Sequence, residues 1–338
     1  MSRTVAVYGA YGHTGRFVVA ELRKRGARPI LSGRDEEKLN ALTGEYPTSD
    51  ARPASVDDPA ALDRAIEGAA AVINCAGPFA TTAAPIIEAA IRKGIPYVDV
   101  AAEIEANLDT FQHYHEKARE RGVTIVPAMA FYGGLGDLLA TAAMGDWEKA
   151  DEICVAYGLS GWVPTRGTVL AGRVSRERRG GLRIAHVDGQ LKLSAEAAPI
   201  SEWTFPAPVG KQAVVEEFTM ADTVTIARHL DVPRIRSFMT TAAVSELSSG
   251  PLPSAEGQSR PPERFVVEIV VRKGSVERRA AASGQDIYAT TAPLAVEAVT
   301  RLLDSSVGKP GVQSAAQAFD AWDFLAALTP EHLSVRFY

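Results

Sequence analysis

Cysteine is scarce in this chain: Cys75 and Cys154 are the two among 338 residues. Two thiols cannot build a disulfide framework, and their spacing fits no metal-ligand pattern, so no metal site is expected. Long hydrophobic runs are missing as well, since none reaches the roughly 18–20 residues of a membrane-spanning helix. Charge of one sign is also in short supply, with a formal net charge of −5 at pH 7. That balance gives no reason to expect nucleic acid or an anionic membrane surface as a partner. A short apolar run begins at Thr4 and leaves no room for a signal peptide, so a reducing cytoplasm is the expected setting. What remains is an ordinary globular composition, 46% hydrophobic and 23% charged, without internal repeats. At this length a single core nears its practical ceiling, and two domains are expected.

The first half alternates short apolar runs with helical patterns. Val5-Ala6-Val7-Tyr8 stops at Gly9 and reads as a buried parallel strand. From Thr14 onwards, Phe17, Val18 and Leu22 share one side against Arg16, Arg23 and Lys24, and Gly26 stands where a C-cap glycine belongs. Pro29 to Ser32 is the next strand, and Asp35 starts a short charged helix that ends at Gly44. Asp58-Pro59 is an N-cap followed by proline in the first turn, and that helix runs to Gly68. Ala70 to Asn74, Tyr97 to Val100 and Val123 to Val126 add strands, separated by helices over Pro85 to Lys93 and Leu108 to Arg121. Such alternation predicts an α/β fold with a doubly wound parallel sheet, a Rossmann domain over residues 1–135.

The pattern changes near Tyr157, and a mainly antiparallel α+β second domain is expected over residues 136–286. Asp188-Gly189 between Arg183 to His186 and Leu191 to Leu193 is a hairpin signal. Phe265 to Val271 is the strongest strand, turning at Lys273-Gly274 into Val276 to Arg279. Left at a sheet edge, so long an apolar strand would invite pairing, which predicts a homodimer surface there. Ser248 to Pro262, rich in Ser, Pro and Gly, reads as a mobile loop. Helical periodicity returns after Ile287 with Leu294, Val296, Val299, Leu302 and Leu303.

The first strand–helix junction carries most of the chemistry. It reads Gly9-Ala10-Tyr11-Gly12-His13-Thr14-Gly15. Gly9 permits the tight turn, Gly12 lets backbone approach a pyrophosphate, and Gly15 allows close packing of helix on strand. Free N–H groups at the helix start then face the phosphates. Directly after a strand and inside a βαβ unit, this spacing predicts a dinucleotide site. At the end of the second strand, NAD-binding domains place Asp or Glu for the ribose 2′-hydroxyl. Here the residues are Ser32-Gly33-Arg34, a hydroxyl and a fork of donors suited to a 2′-phosphate, so NADP(H) is the expected cofactor. Cys75, Ala76, Gly77 and Pro78 follow the next strand end, small enough for close approach to the nicotinamide ribose, with Phe79 as a wall. Asp57 reads either as an adenine contact or as a turn residue ahead of the Asp58 cap.

Taken together, these residues resemble the saccharopine dehydrogenase-like NADP-binding oxidoreductases. The similarity lies in Val7 to Gly15, Ser32-Gly33-Arg34 with Lys38-Leu39, Asn74 to Phe79, and Gly94-Ile95-Pro96-Tyr97-Val98-Asp99 with Glu103. It covers about residues 4–136; later, Asp286-Ile287-Tyr288 with Thr290-Thr291-Ala292 is similar to the family's return helix. The resemblance implies that the Rossmann domain is interrupted by the second domain and completed by C-terminal helices, residues 287–338, that pack back on it. It also implies reduction of an imine, enoyl or carbonyl group of a small metabolite, as saccharopine reductases and trans-acting enoyl reductase-like members do.

Catalytic candidates are few. Hydride transfer often needs one positioned proton donor, and no Tyr-x-x-x-Lys pair of the short-chain dehydrogenase type occurs. Asp99 and Glu103 lie at the carboxyl end of a strand, and Tyr132 follows the next one, ahead of Gly133-Gly134, which could bind an anion or bend a hinge. Asp99, Glu103, Tyr132 or a bound water remain open as the donor. Trp162 to Thr168 is the richest loop of the second domain: Arg166 could clamp a substrate carboxylate and Trp162 could cover the nicotinamide. Arg176, Arg178 and Arg179 with Gly180-Gly181 read as a solvated basic turn. The principal expectation is an NADPH-dependent reductase; the alternative is a non-catalytic NADP(H) sensor or scaffold.

Overall fold

In a computed structural model, which describes residues 3–249, 263–304 and 308–338, two sheets divide the chain. The first holds β1 (Thr4–Tyr8), β2 (Arg28–Gly33), β3 (Asp50–Pro53), β4 (Ala71–Asn74), β5 (Tyr97–Asp99) and β6 (Thr124–Val126). Between them run α1 (His13–Lys24), α2 (Glu36–Glu45), α3 (Pro59–Ala65), α4 (Phe79–Lys93) and α5 (Ile104–Glu120). All pairings are parallel, in the order β3-β2-β1-β4-β5-β6. That order is the doubly wound one, whose strand sequence reverses beside β1 and opens a crevice at the strands' carboxyl ends. Val5, Val7 and Leu31 face one packed layer and Ala6, Tyr8 and Ile30 the other, so burial on both faces makes the strands continuously apolar.

A wide turn, Phe131–Leu135, leads through α6 (Gly136–Met144) into the second sheet. This part comprises β7 (Glu152–Leu159), α7 (Arg166–Arg178), β8 (Arg183–Val187), β9 (Gln190–Ser194), β10 (Ile200–Thr204) and β11 (Lys211–Glu216). It continues with α8 (Ala221–Ala227), β12 (Ile235–Thr240), α9 (Thr241–Ser249), β13 (Arg264–Lys273) and β14 (Val276–Gln285). The sheet is antiparallel except for the β7–β12 pair. The β8–β9 hairpin turns at Asp188-Gly189, both with positive φ, as an Asp-Gly turn of the mirror-image type demands.

Last come α10 (Ile287–Leu303), β15 (Gly311–Val312), α11 (Ala315–Ala318), α12 (Ala321–Leu328) and β16 (Ser334–Phe337). The tail serves both sheets. β15 pairs with β6 and α10 packs on α1, whereas β16 pairs with β14.

Several elements depart from the sequence reading. Phe265 to Val271 lies in β13, which is paired on one side with β7 and on the other with β14. Its seven residues are buried, so it is no edge, and the argument for a dimer surface there falls away. The helix expected from Pro85 begins at Phe79, with Pro85 inside it; the proline costs one intrahelical hydrogen bond that the buried face of Phe79, Ala83, Ile86, Ile87 and Ala90 offsets. Arg166 to Thr168, with Arg176 and Arg178, belong to α7 rather than to loops, whereas Trp162 to Thr165 precede it without regular structure. Most of the expected loop from Ser248 to Pro262 lies outside the described residues.

Candidate functional site

The carboxyl ends of β1, β2, β4 and β5 open into a cleft of about 1640 Å³, which α7 and the start of α10 face from the other side. Ligand pockets commonly measure about 300–1,000 Å³. This one therefore has room for more than one ligand.

At the β1–α1 turn, the N–H groups of Gly9 and Ala10 both donate to the Ser32 carbonyl, at 2.8 and 3.1 Å, and Gly12 N–H donates to Gly9 O at 3.0 Å. The glycines are required by contact. A Cβ on Gly15 would lie 2.1 Å from Gly9 O, and one on Gly9, whose φ is +80°, would lie 2.9 Å from Ala76. Gly12 caps α1 without a side-chain bond, and the first turn holds no acid. Peptide dipoles at that helix end therefore face the cleft uncompensated by protein charge, as an anion requires.

The rim beyond β2 is cationic. Arg34 is exposed, lines the cleft and forms no ion pair among the described residues. The Tyr11 ring lies against Gly33, where a Cβ would sit 2.6 Å from it, and Lys38 stands 5.5 Å from that ring. Ser32 departs from the expectation: it does not line the cleft, and its Oγ is buried without a partner in β2 while its carbonyl anchors the turn. His13 and Thr14 line the cleft, as do Cys75, Ala76, Gly77 and Pro78. Asp57 is exposed, lines the cleft and accepts a hydrogen bond from Ser55 Oγ at 3.3 Å. These residues fit NADP(H): an uncapped helix start for the pyrophosphate, an unpaired guanidinium for the 2′-phosphate, and small residues along the ribose path.

Asp99 requires a correction. It is 1% exposed and turned away from the cleft. Tyr97 Oη donates to it at 2.8 Å, and the N–H groups of Ala101 and Ala128 donate at 3.0 and 2.8 Å. A carboxylate so engaged holds the loops after β5 and β6 together; it reaches no substrate. Asn74, bonded to Tyr97 Oη at 3.2 Å and to Ala76 N–H at 3.0 Å, extends the same lattice under the cleft floor.

Glu103, by contrast, faces the cleft, and its two oxygens accept the N–H groups of Phe79 and Ala80 at 2.9 and 3.0 Å. It thereby caps α4 from outside. Burial pushes its carboxyl up to about 7, against the lowering effect of those two N–H groups.

Tyr132 is 6% exposed, and its hydroxyl is buried without a hydrogen-bond partner while the residue lines the cleft. Burial holds that phenol well above its ordinary pKa, so it stays protonated. Its ring is wedged against Phe131, Tyr157 and Trp162 at centroid distances of 4.8, 5.0 and 5.3 Å. Gly133, with φ +125°, and Gly134, whose N–H donates to Ala128 O at 2.7 Å, bend the chain behind it and offer no anion nest.

One site residue escaped the sequence reading as a functional group: Tyr288. Its hydroxyl accepts from Trp162 Nε1 and Thr165 N–H, both at 3.2 Å, and pairs with Thr168 Oγ1 at 2.8 Å. Its ring meets the His13 ring at 5.0 Å. Tyr288 thus joins the glycine-rich turn to the start of α7, where Arg166 lies exposed on the cleft with no ion pair among the described residues. Nothing among the described residues groups His, Cys, Asp and Glu as a metal site, and no helix there is long and apolar enough to cross a membrane.

A dinucleotide-binding Rossmann domain joined to a second, largely antiparallel domain is the class that this fold and site define. Within that class, residues 5–126 match the family model of the saccharopine dehydrogenase NADP binding domain. Among curated relatives, the human saccharopine dehydrogenase-like oxidoreductase is 31% identical over 146 residues, covering 38% of this chain and 34% of that protein. The trans-acting enoyl reductase of Mycobacterium ulcerans is 29% identical over 133 residues, covering 38% of this chain and 32% of that protein. These likenesses span about a third of the relatives' length. The whole chain is similar in fold to saccharopine dehydrogenase (L-Glu forming) from Saccharomyces cerevisiae, with a TM-score of 0.69, full coverage of both chains and 12% identity.

Proposed function

We propose that the protein is an NADPH-dependent reductase acting on an imine, enoyl or carbonyl group of a small molecule. The observation that carries this reading is the Tyr132 hydroxyl, buried without a partner in the wall of the cleft that the NADP-binding residues line. An unsatisfied buried hydroxyl costs about 1–3 kcal/mol, and a substrate heteroatom in the cleft would satisfy it. NADPH, when bound, supplies the hydride. In this reading Tyr132 Oη hydrogen-bonds the substrate's oxygen or nitrogen and delivers the proton, since its raised pKa keeps the proton in place until charge develops on that atom. Trp162 packs against Tyr132 and shields the reacting centre from water. The named activities of the relatives, saccharopine dehydrogenase-like and enoyl-reducing, support the same reaction class.

The test is oxidation of NADPH across a panel of imines, enones and ketones by the wild type and by Tyr132→Phe. The phenylalanine variant is expected to lose about 10²–10⁴ in turnover while its affinity for NADPH stays within about twofold. Cofactor binding with no turnover on any compound would favour a sensor instead. Equal turnover by the variant would remove Tyr132 from the mechanism.

A further inference from the structure

Helix α7 lies between β7 and β8 in the chain, yet its principal neighbours are α4 and α5 of the Rossmann domain. It thus straps the second domain onto the first. Ser175 is the one buried residue in it, so apolar packing does little to hold it there. The chain leaves the strap through Gly180-Gly181, both with positive φ, a bend that glycine makes without steric cost.

At the entrance to α7 a single hydroxyl ties several groups. Amide and indole N–H groups can only donate, so Tyr288 Oη accepts from Trp162 Nε1 and from Thr165 N, each at 3.2 Å. Its own proton is then directed to Thr168 Oγ1 at 2.8 Å, and that of Thr168 to Thr165 Oγ1 at 3.0 Å. Thr165 Oγ1 is also the cap of α7, accepting from Thr168 N–H at 3.1 Å. The Tyr288 hydroxyl therefore fixes the cap of α7 and the Trp162 indole together.

The same side chain touches the cofactor side. Tyr288 is near the start of α10, which packs on α1. Its ring meets the His13 ring edge to face at 5.0 Å, and His13 meets Phe17 in the same way at 5.3 Å. His13 opens α1, whose uncapped start offers its N–H groups to a pyrophosphate. An unbroken chain of contacts runs from the dinucleotide turn through His13 and Tyr288 to the cap of α7.

We infer that Tyr288 is a positioning residue: NADP(H) bound at the β1–α1 turn steadies His13 and Tyr288, and the Tyr288 hydroxyl passes that order to α7. The cofactor thereby braces the facing wall of the cleft, with Trp162 and Arg166 on it, before a substrate arrives. A ligand that orders one element lowers the entropy still to be lost when its neighbour is ordered. This coupling goes beyond the reductase reading and holds whatever compound is reduced.

The experiment is amide hydrogen exchange with and without saturating NADP⁺, on the wild type, Tyr288→Phe and Glu105→Ala. In the wild type, NADP⁺ is expected to slow exchange over residues 169–178 by about fivefold or more. In Tyr288→Phe that slowing is expected to fall below about twofold, while NADP⁺ still protects residues 9–17 and so shows the variant folded and loaded. Glu105→Ala is the structural control: α7 loses an anchor and exchanges faster, yet NADP⁺ slows it by the wild-type factor. Thr168→Val, which removes the acceptor of the Tyr288 proton, is expected to act in the same direction as Tyr288→Phe. Absence of slowing in α7 of a wild type whose residues 9–17 are protected overturns the proposal. Full slowing in Tyr288→Phe overturns it too, because the cofactor would then reach α7 by another route. Loss of the slowing in Glu105→Ala as large as in Tyr288→Phe would likewise leave Tyr288 without a special part.

Discussion

At the scale of single residues, Glu103 gives the sharpest test that does not depend on knowing a substrate. Its carboxyl rises from 4.5 to about 7 on folding, chiefly through burial. The folded state therefore binds the extra proton between those values, and Glu103's contribution to stability is full below about 4.5 and is lost as pH rises through about 7. Glu103→Gln, which mimics the protonated form, should flatten that part of the curve. Urea unfolding at about pH 5 and about pH 8 should show the wild type losing on the order of 2 kcal/mol more than the variant. An identical pH dependence in the two proteins would show that Glu103 ionises as an ordinary surface carboxylate. The glycines of the β1–α1 turn were legible because their place follows from backbone geometry, which the sequence states directly. Asp99 was misread because a carboxylate at a strand's carboxyl end looks like a catalyst. Its neighbour Tyr97, two residues back and so on the same strand face, was the available sign that the pair bonds within the scaffold. Whether a hydroxyl such as that of Tyr132 finds a partner is a property of the packed molecule.

At the scale of elements, the β1–α1 junction has no slack. Gly15→Ala would improve helix propensity by roughly 1 kcal/mol in isolation, yet the new methyl lies 2.1 Å from Gly9 O. The expected outcome is a net loss of about 2 kcal/mol or more in denaturant unfolding, with NADPH affinity falling in parallel; a stabilised variant would show that the helix can move off the strand. Helix α7 is held differently. Among its residues only Ser175 is buried, and polar bonds anchor it: Tyr288 at its start, Glu105 to Ser175 and Arg179, and Asp109 to Arg178 at 2.8 Å. Glu105→Ala should speed amide hydrogen exchange throughout α7 while changing global stability by about 1 kcal/mol or less. Unchanged exchange would mean that the Glu105 contacts do not hold the helix. The same polarity explains why α7 was not foreseen: a helix with Gly167 and Gly172 inside and almost no apolar face leaves no periodic signal. β13 failed in the opposite way. A continuous apolar run states that a strand is buried but not which neighbours bury it.

At the scale of the whole molecule, the first sheet was readable as strict strand–helix alternation, because each parallel pair needs a crossover helix and local order dictates spatial order. The tail was not, since β15 and β16 complete two different sheets and each is paired with a strand far away in sequence. Both halves of the molecule meet at one cleft, and its chemistry follows from which cofactor the Rossmann half selects. The most direct test is calorimetric titration with NADPH and with NADH, on the wild type and on Arg34→Ala. A preference for NADPH of about tenfold or more, lost in the variant through weaker NADPH binding alone, is the expected result. Equal affinity of the wild type for both cofactors, or a preference that survives removal of Arg34, would contradict it.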